Sequence, residues 1–199
     1  MAGADRRWFG RVVLGAALGL TGCAGPGRRQ GVVGRPTSDG FELSGRIAVQ
    51  YDGDGYTGTL RWLHGMSSDL VELYAPVGTL YARLRRDQSG AVMETADGKR
   101  FDEPDTGALS RRVLGWELPL EQLPHWVFGR SAPGGPPARV DIDTGGRPAR
   151  LVQTGWVVSY RAYMEDQSAV LPSRLDLERP GLRVKLIISR WAEMVASPS

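Results

Sequence analysis

Reactive chemistry has few places to begin in this chain. Its 199 residues hold one cysteine, Cys23, and two histidines, His64 and His125. A thiol can cross-link, ligate a metal, attack a carbonyl or carry a covalent lipid, but a lone thiol cannot form a disulfide within its own chain. The histidines lie far apart, and neither has a second ligand at the short spacing of a zinc site. They read as surface or internally satisfied structural residues. No G-x-S-x-G, H-E-x-x-H or Walker loop occurs. Gly25-x-Gly27 is the nearest approach to a phosphate loop, and no strand precedes it. Ser, Asp and Glu are plentiful, yet nothing brings a base to a nucleophile. These residues point to no enzyme, no metal and no cofactor.

The surroundings of Cys23 are more informative. Arg6, Arg7 and Arg11 precede an uncharged run, Val12–Leu20, which ends in Thr21 and Gly22. That is the three-part layout of a secretory signal, and the run is about half the roughly 20 apolar residues a spanning helix needs. Leu20-Thr21-Gly22-Cys23 resembles the lipobox of bacterial lipoproteins, which implies cleavage before Cys23 and a diacylglycerol on its thiol. An ordinary secretory peptide containing a chance cysteine is the plainer alternative, but position, spacing and flanks agree on the lipobox. The expected organisation is a lipoprotein signal peptide over residues 1–22, a lipidated N-terminus and flexible tether over 23–39, and one folded domain over 40–199. Two or three acyl chains anchor a protein durably, at about 0.8 kcal/mol per buried methylene. By resemblance to bacterial sorting rules, Ala24 after the cysteine favours the outer membrane. Arg6-Arg7 before Trp8-Phe9 also resembles a twin-arginine signal, so the export route stays open.

The formal charge of +3 is mostly a property of the leader. Removing residues 1–22 takes away three arginines and one aspartate, which leaves 22 basic against 21 acidic residues. Arginines alternate with acids along the rest, so no basic stripe for nucleic acid exists.

The tether segment, Ala24–Asp39, is rich in Gly, Pro and Arg, with an expected r.m.s. span on the order of 20 Å. From Phe41 the pattern alternates. Phe41, Leu43, Ile47, Val49 and Tyr51 share one strand face, and Tyr56, Leu60 and Trp62 continue after the turn at Asp52–Gly55. "DLVELYAPVGTLYARLRR" reads as strand, tight turn at Ala75–Gly78, and strand. Two short strands follow near Ala91–Thr95 and Lys99–Phe101. Leu109, Val113 and Leu114 then take helical spacing ended by Gly115; Leu120, Leu123 and Val127 do the same up to Gly129, with Pro124 kinking that helix or delaying its start. Strands return at Arg139–Asp143, Ala149–Gln153, Trp156–Tyr163, Ser173–Glu178 and Leu182–Trp191. The sum is a mainly β chain, an antiparallel meander of about eleven strands that curls to protect its edges, with two short helices as plug or lid. Trp62, Trp116, Trp126, Trp156 and Trp191 suit a filled core as well as the wall of a ligand cavity.

Several segments in colinear order resemble the LolB family of outer-membrane lipoprotein receptors: F-x-L-x-G-R-I-A-V at Phe41–Val49, Trp62, L-Y-A-P-V-G at Leu73–Gly78, L-P-L-x-x-L-x-x-W-V-x-G at Leu118–Gly129, Q-T-G-W-V-V-x-Y-x-x-Y at Gln153–Tyr163, Leu171-Pro172 and V-K-L-I-I-x-x-W at Val184–Trp191. The resemblance implies a half-open, eleven-stranded antiparallel β-barrel with a helical lid over an apolar cavity. It further implies a monomer, lipid-anchored on the outer membrane and facing the periplasm. Such a protein accepts lipoproteins from the soluble carrier LolA by their acyl chains and inserts them into the membrane without ATP. It marks Trp62, Leu73, Leu80, Trp126, Trp156, Tyr160 and Leu186 as acyl-chain cavity candidates. The Pro76-Val77-Gly78 turn falls where the family carries a membrane-insertion loop, with Val77 in place of its leucine. The alternative of another class is an envelope scaffold or signalling lipoprotein with a filled barrel that docks a protein partner.

Overall fold

A computed structural model describes residues 40–166 and 169–193. Cys23, the leader and the tether lie outside the described residues. The chain runs β1 (Phe41–Tyr51), β2 (Asp54–His64), β3 (Asp69–Tyr74), β4 (Leu80–Asp87), β5 (Gly90–Thr95), β6 (Arg100–Glu103), α1 (Thr106–Leu114), α2 (Leu123–Trp126), β7 (Arg139–Ile142), β8 (Pro148–Gln153), β9 (Trp156–Asp166), β10 (Ala169–Arg179) and β11 (Leu182–Glu193). All strands join one antiparallel sheet in the order β6-β5-β4-β3-β2-β1-β11-β10-β9-β8-β7. The first and last strands pair at its middle, with Leu43 opposite Trp191 and Tyr51 opposite Leu182.

The sheet's two edges, β6 and β7, flank the segment that carries both helices. Residues from opposite halves of the sheet, Leu60 and Trp62 on one side and Trp156 and Leu177 on the other, line one cavity. The sheet is therefore curled into a half-open barrel, and the helical segment covers its concave face. Period-two alternation drives this, because one face of each long strand is apolar and must be buried together. Leu43, Leu60, Trp62, Leu84, Leu151, Val158 and Leu175 all lie in the core.

α1 follows its sequence signals. Asp105 caps it by accepting from Ala108 N at 2.7 Å, and Gly115 ends it with φ +80°. α2 is shorter than the spacing of Leu120, Leu123 and Val127 predicts. Leu120 sits in a turn in which Gln122 N and Leu123 N both donate to Pro119 O at 3.0 Å. Pro124 then falls in the first turn of the helix, where its missing N–H costs nothing. Gly129 follows at φ +73°, and a Cβ there would lie 2.3 Å from Pro148 Cγ, so only glycine lets the helical segment sit against β8.

One end of the barrel is closed by aromatic rings. Phe41 packs against Trp62, Phe128 and Trp191 with centroids 5.0, 5.4 and 5.5 Å apart, an arrangement that adds edge-to-face attraction to burial. On the convex face, Arg190, Glu42, Arg61, Glu72 and Arg83 form a row of ion pairs across β11, β1, β2, β3 and β4. This is where the interleaved arginines and acids of the sequence go. Burial would raise the Glu72 carboxyl, but hydrogen bonds from Arg83 and Tyr74 outweigh it and hold the group below its ordinary range.

Candidate functional site: an apolar cavity beneath the helices

The concave face and the helical segment enclose a cavity of about 290 Å³. The sheet contributes Ile47, Val49, Tyr51, Tyr56, Leu60, Trp62, Val71, Leu73, Tyr81, Trp156, Leu177, Val184 and Leu186. The cover contributes Val113 and Leu114 from α1, then Trp116, Leu118, Pro119, Leu120, Leu123 and Val127. Asp54, beside Gly55 near the β1–β2 turn, is the single charged side chain in this lining. A wall of this kind is mainly apolar, with few hydrogen-bonding groups among many aliphatic and aromatic side chains.

Four of the cavity candidates named from the sequence, Trp62, Leu73, Trp156 and Leu186, line this space. Leu80, Trp126 and Tyr160 do not. For Leu80 the cause is a β-bulge: the β3–β4 register slips so that Leu73 faces Ala82 but Tyr74 faces Leu80, leaving Tyr81 as the extra residue. Tyr81 lines the cavity in place of Leu80. Trp126 is completely buried in core packing, and its Nε1 donates to Gln153 Oε1 at 2.8 Å. Tyr160 is buried beneath it and donates its hydroxyl to the Trp126 carbonyl; burial pushes that phenol far above its ordinary pKa. Both residues hold the cover in place from outside the lining.

The cavity's edge away from the aromatic plug is built by tyrosines. Tyr56 packs on Tyr81 with ring centroids 4.8 Å apart and donates to Tyr74 O at 2.9 Å. Its side chain reaches that carbonyl by crossing Gly58, where a Cβ would lie 2.3 Å from the Tyr56 hydroxyl and 2.2 Å from Tyr74 O. Alternation within β2 placed Tyr56 on the correct face, but the bulge that brings Tyr81 to it has no signal in β4 itself.

The Ala75–Thr79 turn projects beyond this edge. Ala75 N donates to Thr79 O at 2.9 Å and Gly78 N to Ala75 O at 2.8 Å, with Gly78 at φ +87°. Val77 at its tip is 85% exposed. The turn's own hydrogen bonds hold this apolar side chain out in solvent.

At the plugged end the polar groups are paired. Asp69 accepts from Trp62 Nε1 at 2.8 Å and from Arg86 Nε at 2.7 Å, and its Oδ1 lies 2.7 Å from His64 Nδ1. Burial alone would raise the Asp69 carboxyl, but these bonds hold it below its ordinary value. His125, half-buried in α2, has its pKa lowered by burial, with the charges of His64 and Arg130 adding to the effect.

A half-open antiparallel barrel closed by short helices over a mainly apolar cavity defines the class of fold to which the chain belongs. Comparison with known proteins gives the family. The sequence model of the outer-membrane lipoprotein LolB matches residues 39–191. Outer-membrane lipoprotein LolB of Azoarcus sp. (strain BH72) is 35% identical over 188 residues, covering 94% of this chain and 96% of the relative. LolB of Thiobacillus denitrificans is 35% identical, covering 90% and 95%. Among solved structures, a LolA-superfamily protein from Nitrosomonas europaea superimposes with TM-score 0.51 at 11% identity, covering 85% of this chain and 92% of that one. A putative outer membrane lipoprotein-sorting protein domain from Vibrio parahaemolyticus gives TM-score 0.51 at 9% identity, covering 81% and 88%. The chain belongs to the LolB family of outer-membrane lipoproteins.

Proposed function

We propose that this protein accepts lipoproteins from the periplasmic carrier LolA by taking their acyl chains into the cavity, and then releases them into the outer membrane to which Cys23 anchors it. The observation that carries this reading is the cavity itself: a partly open, mainly apolar space covered by short helices, in a chain of the LolB family. At about 290 Å³ it sits at the lower bound of ligand sites, which run roughly 300–1,000 Å³. More than one acyl chain enters only when the cover shifts outward. Val113 and Leu114 are half-buried, as such a movable cover requires.

Transfer from one apolar site to another and on to a bilayer runs on apolar burial alone. Val77 on its exposed turn supplies the contact that favours the last step, with about one methylene less apolar reach than leucine, or roughly 0.8 kcal/mol.

The test mixes the monomeric domain from Gly40 onward with LolA loaded with a labelled lipoprotein and follows which protein holds the cargo. Cargo should move to the domain. Cargo that stays on a competent carrier would refute acyl-chain acceptance and leave the scaffold reading in front.

A further inference from the structure

Among the described residues, the two most exposed large apolar side chains are Val77, at 85%, and Met66, at 83%. They occupy the turns on either side of β3 and so project from opposite ends of the sheet. The chain enters the domain at the Met66 end. Phe41 pairs with His64, and a Cβ on Gly40 would lie 1.9 Å from His64 O and 3.0 Å from Gly65 Cα. The cavity's tyrosine edge and the Val77 turn lie at the other end, where Tyr51 pairs with Asp54 and Leu182. A short link from a membrane anchor to Gly40 would therefore hold the Met66 end toward the membrane and the cavity edge away from it.

From Gly40 to that far edge the distance is set by β1. Its eleven residues rise about 35 Å, or roughly 25–35 Å along the barrel once strand tilt is allowed for. The seventeen residues Cys23–Asp39 reach at most about 55–60 Å when fully extended. Their length exceeds the height of the domain, so the domain can invert over its own anchor.

We propose that the domain meets its own membrane in two poses. In one, Met66 touches the bilayer and the cavity edge faces the periplasm to receive cargo. In the other, the domain is inverted and Val77 touches the bilayer. This rests on the reading that Cys23 is the anchor and Val77 the insertion residue. The length of the tether then decides whether cargo is delivered into the receptor's own membrane.

The test uses the full lipidated protein in vesicles. One variant lacks residues 27–37; its remaining six residues span at most about 20 Å, too little for inversion. A second variant refills the gap with eleven Gly/Ser residues. Labelled lipoprotein is supplied on LolA, and delivery is measured into the receptor's own vesicle and into separate receptor-free vesicles. The short form should lose delivery to its own vesicle by at least about tenfold while still serving separate vesicles, because a linker too short to span abolishes the effective concentration. The refilled form should recover. Delivery by the short form at the full-length level, or loss to both vesicle types, overturns the proposal.

A dye on Met66→Cys should report bilayer contact with either tether, and one on Val77→Cys only with the long tether. Lipid contact by the Val77→Cys dye in the short form also overturns the two poses. If that dye never meets lipid, even on the unanchored domain mixed with vesicles, the insertion reading itself fails.

Discussion

Gln153 Oε1 accepts from Trp126 Nε1 at 2.8 Å and from Ala132 N at 2.9 Å, while its Nε2 donates to the carbonyls of Ala132 and Pro136 at 2.9 and 2.8 Å. One buried carboxamide on β8 thus fastens the end of α2 and the Pro/Gly loop after it to the barrel.

Replacing it tests that fastening. Gln153→Met keeps the volume but leaves buried donors and acceptors unpaired, which costs about 3 kcal/mol, or a Tm drop of roughly 10 °C for a domain of this size. Hydrogen exchange at the Ala132 amide should quicken more than exchange in β1 and β11. Uniform quickening would show that Gln153 contributes only to global stability.

Asp69 carries a pH signature. Its folded carboxyl lies below its ordinary value, against an unfolded reference of about 3.9. A depressed acid adds stability above the unfolded pKa and loses it as pH falls through the folded pKa. Asp69→Asn should therefore destabilise the domain by about 3 kcal/mol at pH 7, since Arg86 and His64 lose a buried partner. The gap between wild type and variant should shrink steadily below about pH 4. Denaturant titrations across pH measure this; a gap that stays constant down to pH 2 would contradict the assignment.

How far the sequence reaches depends on whether a feature is periodic. The strands announce themselves by alternation, and α1 by Asp105, Gly115 and the spacing of Leu109, Val113 and Leu114. Leu80 misled because a single extra residue, Tyr81, reverses which side chain faces inward, and nothing in "GTLYARL" marks the slip. Trp126 looked like cavity wall because burial is visible in an apolar pattern. Its polar partner Gln153 is distant in sequence, so it becomes visible only in the fold. α2 began late because Pro119 and Pro124 constrain the backbone more strongly than the apolar spacing does.

If the cavity is the ligand site, filling it should block binding while the fold survives. Leu73 lines it at half-burial on β3. Leu73→Trp places a large ring in the space, at an overpacking cost of about 1–3 kcal/mol. Affinity for a fluorescent fatty acid should fall about tenfold or more, a loss of roughly 1.4 kcal/mol or greater. Ile187→Trp, on an exposed position of β11, should leave binding unchanged. Equal binding by all three proteins would move the site elsewhere.

Val77 separates acceptance from release. Val77→Glu places a charge on a fully presented tip, far from the cavity's depth, so the domain should still take labelled lipoprotein from LolA. Its release into liposomes should collapse, because a carboxylate must be desolvated or protonated to enter the bilayer. Val77→Leu should accelerate release by up to about fourfold, the equivalent of one further buried methylene at about 0.8 kcal/mol. Both rates come from one assay, in which cargo is first moved onto the domain and liposomes are added afterwards. Opposite effects of the two substitutions on the second step, with the first step constant, would tie release to apolar contact at this turn. Release that stays the same in both would show that cargo leaves by a route the turn does not touch.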